Sequence, residues 1–210
     1  NNIIKAFYML TKTKKRLSLN VHNHQVIVRT NSPDFKVAYE SLGNEFSILK
    51  YFFRPEMEGL IVDAGGYIGT ATVAFNKMFP NSKIVCIEPS KENLNVLRSN
   101  VSGINNISIL EAALHSKNNF EYDLIDRQTG QWGYSIVQNR NKQSNILQQV
   151  NTINLSTIFE KFKEFEKSII KIDIEGAEME LLSNDSEGLN QFDVIIIELH
   201  ERIVSGIESE

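Results

Sequence analysis

Apolar and polar positions along this chain repeat one unit: a short apolar run, a carboxylate, a turn, then a helical period. Leu60-Ile61-Val62 reads as a strand buried on both faces, because a strand covered on both sides needs no polar alternation. Asp63-Ala64-Gly65-Gly66-Tyr67-Ile68-Gly69 follows as a turn, and Ile68 to Phe79 as a helix. Ala71, Phe75 and Phe79 share one face of that helix, which Pro80 stops. The unit recurs at Lys83 to Ile87, ending in Glu88-Pro89, with a helix capped by Ser90 and running through Ser99. Leu94, Leu97 and Val101 mark its apolar face. A third strand, Ile107 to Leu110, ends in Glu111-Ala112-Ala113. Such alternation implies parallel strands joined by right-handed helical crossovers, an α/β fold of the Rossmann-like kind.

On either side the rhythm changes. Leu17, Leu19 and Val21, then Val26 and Val28, alternate with polar residues around Asn23-His24, which predicts an edge hairpin. His22 and His24 would share a strand face at a spacing a metal could use, but with no third ligand nearby they read as an exposed pair. Asn44 to Phe53 reads as a helix capped by Asn44, turning Phe46, Ile48, Leu49 and Phe53 inward. Residues 114–153 read as an inserted hairpin whose polar loop, 126–149, carries Trp132 either as a lid or ligand platform or as packing shielded from solvent. Leu155 to Phe165 returns to helix. The strand Ile169 to Ile172 then ends at Asp173, a short helix spans Ala177 to Leu182, and the strand Val194 to Ile197 ends at Glu198-Leu199-His200. Two parts are expected, a 1–43 extension and a 44–210 main domain cut short at its C-terminal end.

Composition narrows the classes. The chain has 210 residues, one domain's worth, and its net charge of −4 gives no nucleic-acid footprint. The basic run Lys12 to Arg16 is too short to act as a binding patch. The only cysteine, Cys86, lies in an apolar run and fits a buried thiol in a reducing, cytoplasmic compartment. No run reaches the ~18 apolar residues of a membrane span. The chain begins Asn1-Asn2 without an initiator Met and reads as a fragment, which leaves a lost targeting segment open.

The glycine turn selects a cofactor class. A dinucleotide turn has the form G-x-G-x-x-G, whereas Asp63, Gly65 and Gly69 give D-x-G-x-x-x-G. A carboxylate beside a pyrophosphate would repel it by about 4 kcal/mol per charge pair at ~4 Å and an effective dielectric near 20. The same carboxylate favours a ligand with an ammonium and a sulfonium, which describes S-adenosylmethionine and not NAD. Gly65 and Gly66 leave no side chain between main chain and ligand. Five strands end in carboxylates, Asp63, Glu88, Glu111, Asp173 and Glu198, along the sheet edge where ligands of open α/β folds bind. Glu88 is spaced to accept from ribose hydroxyls, while Glu111 and Ala112 would lie near an adenine edge.

These stretches together resemble one family. Val62 to Gly69, Ile87-Glu88-Pro89, Lys171-Ile172-Asp173-Ile174-Glu175-Gly176-Ala177-Glu178 and Ile197-Glu198-Leu199-His200 are similar, in that order, to the FkbM methyltransferases. The K-x-D-x-E-G-x-E stretch is the most specific of them. The resemblance implies a seven-strand class I methyltransferase sheet that uses S-adenosylmethionine to methylate hydroxyl oxygens of sugars or small molecules. It carries cofactor roles onto Asp63, Gly65, Gly69 and Glu88. The sequence departs from the family in having Gly66-Tyr67 where Ala-Asn is usual, and in ending before the last helix and antiparallel strands.

The expected cofactor wall is therefore Asp63, Gly65, Gly66, Gly69, Glu88, Glu111, Ala112 and Asp173. An alcohol is a weak nucleophile that a base would help, and His200 and Glu175 are the expected catalytic pair. Glu175 and Glu178 could bind the acceptor, or Asp173 and Glu175 could hold Mg²⁺; a metal-free mechanism is the expectation. Lys171 is expected to snorkel or to pair with one of these acids. The expected partner is a small-molecule or carbohydrate acceptor, with neither nucleic acid nor membrane. Rival readings are a catalytically silent cofactor-binding module of the same fold and an NAD-dependent oxidoreductase. A nucleic-acid methyltransferase would want a basic face and an N-P-P-[YF] tetrapeptide, and the sequence has neither.

Overall fold

The computed structural model describes residues 15–127, 131, 133–137 and 145–200. Trp132 and Lys12 to Lys14 lie outside the described residues, as does much of the 126–149 loop.

The central sheet is built from β3 (Leu60–Ala64), β4 (Lys83–Ile87), β5 (Ile107–Leu110), β10 (Ser168–Ile172) and β11 (Val194–Ile197). All pairs are parallel and the order is β11-β10-β3-β4-β5, so the order reverses beside β3. That is a parallel, doubly wound sheet, with the ligand crevice expected outside the carboxyl ends of β3 and β10. Every residue of β3 and of β10 is buried, including Asp63, Ser168 and Lys171 among otherwise apolar neighbours. Ile61, Ile84, Cys86 and Ile169 face one core, and Leu60, Val62, Val85 and Ile170 face the other.

On the first face lie α2 (Thr70–Met78) and α3 (Lys91–Asn100). Gly69 sits in the left-handed region at φ 83° as the N-cap of α2, so that helix starts two residues after the sequence places it. Ser90 caps α3 as expected, accepting from the Asn93 N–H at 3.3 Å. On the second face lie α4 (Leu155–Lys161), capped by Asn154, then α5 (Glu178–Asn184) and α6 (Ser186–Leu189).

The N-terminal hairpin forms from β1 (Arg16–Val21) and β2 (His24–Arg29). Its turn is His22-Asn23, both at positive φ (48° and 66°), the conformation a two-residue hairpin loop demands. This corrects the expected histidine pair. His22 is a turn residue whose ring lies 4.6 Å from that of Tyr39, so it shares no strand face with His24. A helix the apolar pattern did not reveal, α1 (Asp34–Ser41), follows; its buried positions are Asp34, Ala38 and Ser41, two of them polar. The expected Asn44 to Phe53 helix is instead a 3₁₀ turn, Ser47–Tyr51. Leu49 is its buried residue, and Phe46, buried at the N-cap, precedes it by three, the spacing a 3₁₀ turn aligns. The hairpin and α1 contribute Val21, Val26, Val28 and Ala38 to the same core as α2 and α3.

The insertion is more than a hairpin. The two-residue β6 (Ala113–Leu114) pairs in parallel with β9 (Ile146–Ile153), which pairs antiparallel with β7 (Glu121–Asp126), and β7 with β8 (Tyr134–Val137). No helix among the described residues is long and apolar enough to cross a membrane.

Candidate active site

A cavity of about 190 Å³ opens at the carboxyl ends of β3, β4 and β10. One water needs only ~10–15 Å³ of such space, so it admits a sizeable ligand. Gly65, Gly66 and Tyr67 form part of its wall, with Glu88 and Pro89 beside them. Lys171, Asp173, Glu175 and Glu198 come from the β10 and β11 ends; Tyr134 and Ile136 come from β8.

The glycine turn is shaped by close approach. Gly65 adopts φ +78°, and a Cβ there would lie 1.7 Å from the Asp173 carbonyl oxygen. At Gly66 a Cβ would lie 2.1 Å from Cys86 Sγ. Both amides donate to the Ile87 carbonyl at 3.0 Å, which bends the chain over the end of β4. Tyr67, the residue that stands where the resembled family usually has Asn, also has positive φ (50°). Its N–H donates to Glu88 Oε2 at 2.9 Å and its hydroxyl donates to Asp34 Oδ1 at 2.5 Å. Asp34 accepts twice more from the Arg29 guanidinium, which also donates to Asn93 at 2.9 Å. A buried polar chain thus ties the N-terminal hairpin to the glycine turn.

Glu88 is 5 % exposed and lines the cavity. It accepts from the N–H groups of Tyr67 and Ser90, both at 2.9 Å, and from Asn93 Nδ2 at 3.1 Å. Burial lifts its carboxyl to about 7, and these three donors oppose the lift.

Lys171 is the cation inside the acidic edge. Its Nζ donates to the Gly65 carbonyl at 2.9 Å and lies 3.2 Å from Asp173 and 3.5 Å from Asp63. Burial opposes its charge, but Asp173 and Asp63 outweigh burial and hold the ammonium above its ordinary value. Asp63 is fully buried, accepts from Thr72 Oγ1, and is lifted above the usual carboxylate range by burial. It therefore supports the turn from behind and does not line the cavity, contrary to the direct contact expected of it.

Other expected contacts also fall elsewhere. Gly69 packs against Leu97 and Val101 and serves as a helix cap. Glu111 turns outward to pair with Arg98 at 3.0 Å. Ala112 is buried in the second core, and its neighbours Ala113 and Leu114 face the cavity instead. Of the five strand-end carboxylates, Glu88, Asp173 and Glu198 line the cavity.

The expected catalytic pair does meet. His200 Nδ1 lies 2.9 Å from Glu178 Oε1, and its Nε2 lies 3.6 Å from Glu175. Glu178, fully buried, also accepts from the Ile174 and Gly176 N–H groups. Burial works against a charged His200, but the Glu178 bond and the nearby carboxylates outweigh it and raise its pKa. Burial, with Asp173, Glu178 and Glu198 adding repulsion, lifts Glu175 to about 7, although His200 partly offsets it. Glu175 has φ +54°, and its carbonyl accepts from Ser135 Oγ at 2.5 Å. The sequence reading passed over Glu45, which lines the cavity with a pKa raised by burial, together with Asn93 and Tyr134. Only the ordering of these elements in space reveals them.

A methyltransferase FkbM domain model matches residues 63–209. The chain belongs to the FkbM methyltransferase family. S-adenosylmethionine is accordingly its cofactor, and the site fits that group: an acidic cavity for an ammonium and a sulfonium, with Glu88 at the end of β4. No curated protein matches the chain. Solved structures similar to it include precorrin-6y C5,15-methyltransferase from Geobacter metallireducens, at 12 % identity and TM-score 0.40. That match covers 77 % of this chain, which spans 61 % of that enzyme. The plantazolicin methyltransferase BpumL, solved with S-adenosylhomocysteine, matches at 14 % identity and TM-score 0.34, over 83 % of this chain and 57 % of its own. The sheet order carries the fold assignment; these likenesses add nothing to it.

Glu88 gives this FkbM domain a testable pH dependence. Its carboxyl holds a proton up to about pH 7 in the ligand-free fold against an ordinary value of 4.5. Its contribution to stability is therefore complete below pH 4.5 and is lost as pH rises through 7. An ionised Glu88 is the better acceptor for ribose hydroxyls, so cofactor binding should tighten as pH rises through 7 and release a proton. Glu88→Gln should weaken binding at least ~10-fold, the loss of one charge-assisted bond, and flatten that profile. Calorimetry across pH 6–8 checks it; an unchanged affinity and profile would remove Glu88 from the ribose site.

Proposed function

We propose that the protein is an O-methyltransferase acting on a hydroxyl of a sugar or other small metabolite. The observation that supports this is His200, oriented by buried Glu178 and lying behind Asp173 and Glu175, which line the cofactor cavity. S-adenosylmethionine, when bound, supplies a methyl group carried on a sulfonium. The protein's part is to align the acceptor oxygen and to take its proton. Nδ1 of His200 stays bonded to Glu178, which leaves Nε2 turned toward the carboxylates where an acceptor hydroxyl would sit. Tyr134 and Ile136 line the opposite part of that cavity. A cytoplasmic site of action fits the single buried thiol, Cys86.

The experiment is a screen of hydroxylated sugars and metabolites with S-adenosylmethionine, reading methyl ethers by mass spectrometry. With an acceptor in hand, His200→Gln should lower kcat by about 10²-fold, the lower end for lost acid–base catalysis, and leave cofactor affinity unchanged. An unaltered kcat and pH profile would make His200 structural. Cofactor binding with no acceptor methylated would favour a silent binding module.

A further inference from the structure

Three distances around His200 are too long for one kind of contact and well suited to another. Its Nε2 lies 3.6 Å from Glu175 Oε2, 3.7 Å from Glu198 Oε1 and 4.0 Å from Asp173 Oδ1. None is within hydrogen-bond reach, so a proton on Nε2 would make no good bond to any of the three. Ligands about 2.1–2.2 Å from a shared ion stand ~3–4.4 Å apart across the usual geometries. We propose that Asp173, Glu175 and His200 hold a divalent metal ion, Mn²⁺ being the best-matched first-row ion. This deepens the function proposed above and rests on its acceptor site, although the binding itself does not require it.

Four further features support the site. Ligand atoms of the three residues all lie within 4.8 Å of one another, a gap that a few tenths of an ångström of side-chain movement closes. His200 Nδ1 carries the proton, because the Glu178 oxygen at 2.9 Å accepts it, so the Nε2 lone pair is available to a metal. A carboxylate on the other ring nitrogen is how metal-bound histidines are held in orientation. Asp173 divides its oxygens: Oδ2 is 3.2 Å from Lys171, while Oδ1 faces the imidazole.

The donor set identifies the ion class. Two carboxylates suit Mg²⁺ and Mn²⁺ and an imidazole suits the later first-row ions, so the mixed set favours Mn²⁺. Three protein ligands leave positions open toward the cavity, which Asp173 and Glu175 line. A hydroxyl bound in an open position loses its proton more easily. With the ion present Nε2 is a ligand and the hydroxyl proton passes to exposed Glu198 or to water; without it Nε2 takes the proton.

The test is Mn²⁺ titration of chelator-treated protein, followed by calorimetry and by loss of the free Mn²⁺ electron paramagnetic resonance signal. One ion per chain should bind with micromolar affinity. Glu175→Gln and His200→Gln should each weaken it at least tenfold, and Glu178→Gln by about tenfold through lost orientation. Retained S-adenosylmethionine affinity shows that the variants are folded. No binding at millimolar Mn²⁺, or equal binding by wild type and both ligand variants, would overturn the proposal. Mn²⁺ binding with no acceptor methylated would sink the transfer reading and leave the metal site standing. Methylation that persists in chelator, with no Mn²⁺ bound, would do the reverse.

Discussion

Replacing Lys171 by Met should destabilise the protein by about 3–5 kcal/mol, the usual cost of removing one partner from a buried ion pair. Lys171 lies in the fully buried strand β10, between Asp63 and Asp173. Asp63 Oδ1 has no hydrogen bond among the described residues, and the Lys171 ammonium lies 3.5 Å from it. Met keeps the volume of the side chain and deletes the charge, so the loss is electrostatic. At ~2–4 °C per kcal/mol for a chain of this size, Tm should fall by on the order of 10 °C. Adding Asp63→Asn should recover part of the loss, because the stranded charge is then gone. Urea unfolding of the single and double variants checks this. A Lys171→Met protein as stable as wild type would mean that water reaches Asp63.

Gly65→Ala should be of similar size. Left-handed backbone at a non-glycine residue costs about 1–3 kcal/mol by itself. Here the added methyl would also meet the Asp173 carbonyl oxygen at 1.7 Å, and backbone cannot rotate out of the way. The β3 turn and the β10 end must then separate, and Lys171 loses its bond to the Gly65 carbonyl. Stability and S-adenosylmethionine affinity should fall together. Gly66→Ala offers a graded comparison, since its methyl would strike the Cys86 side chain. Cys86→Ala should relieve that second clash and leave the first unchanged. A stable Gly65→Ala protein with normal cofactor affinity would contradict the turn geometry.

What could be read from the sequence depended on whether the signal was local. The strands β3, β4 and β10 were legible because burial makes their runs mainly apolar, and the half-buried β5 and β11 because Ile, Leu and Val dominate them. The Ser90 cap was legible because its partner, Asn93, is three residues away. Helix α1 was not, because Asp34 and Ser41 occupy its buried face and break the apolar period. Asp34 is buried only because Arg29 and Tyr67 reach it, the latter from 33 positions away. Among the site residues, Glu88, Asp173, Glu175 and His200 were legible as carboxylates and an imidazole at strand ends. Asp63 and Glu111 follow the same rule of position, yet one side chain turns into the core and the other toward Arg98. Strand-end position says where a side chain starts, and packing decides where it points. Glu45 lies on the connector before β3, where no motif marks it.

Isothermal titration of the purified protein with S-adenosylmethionine, S-adenosylhomocysteine and NAD⁺ tests the central claim most directly. The acidic cavity and the glycine turn predict micromolar binding of the first two and none of the third. Binding of NAD⁺, or no binding of either S-adenosyl compound by folded protein, would contradict it.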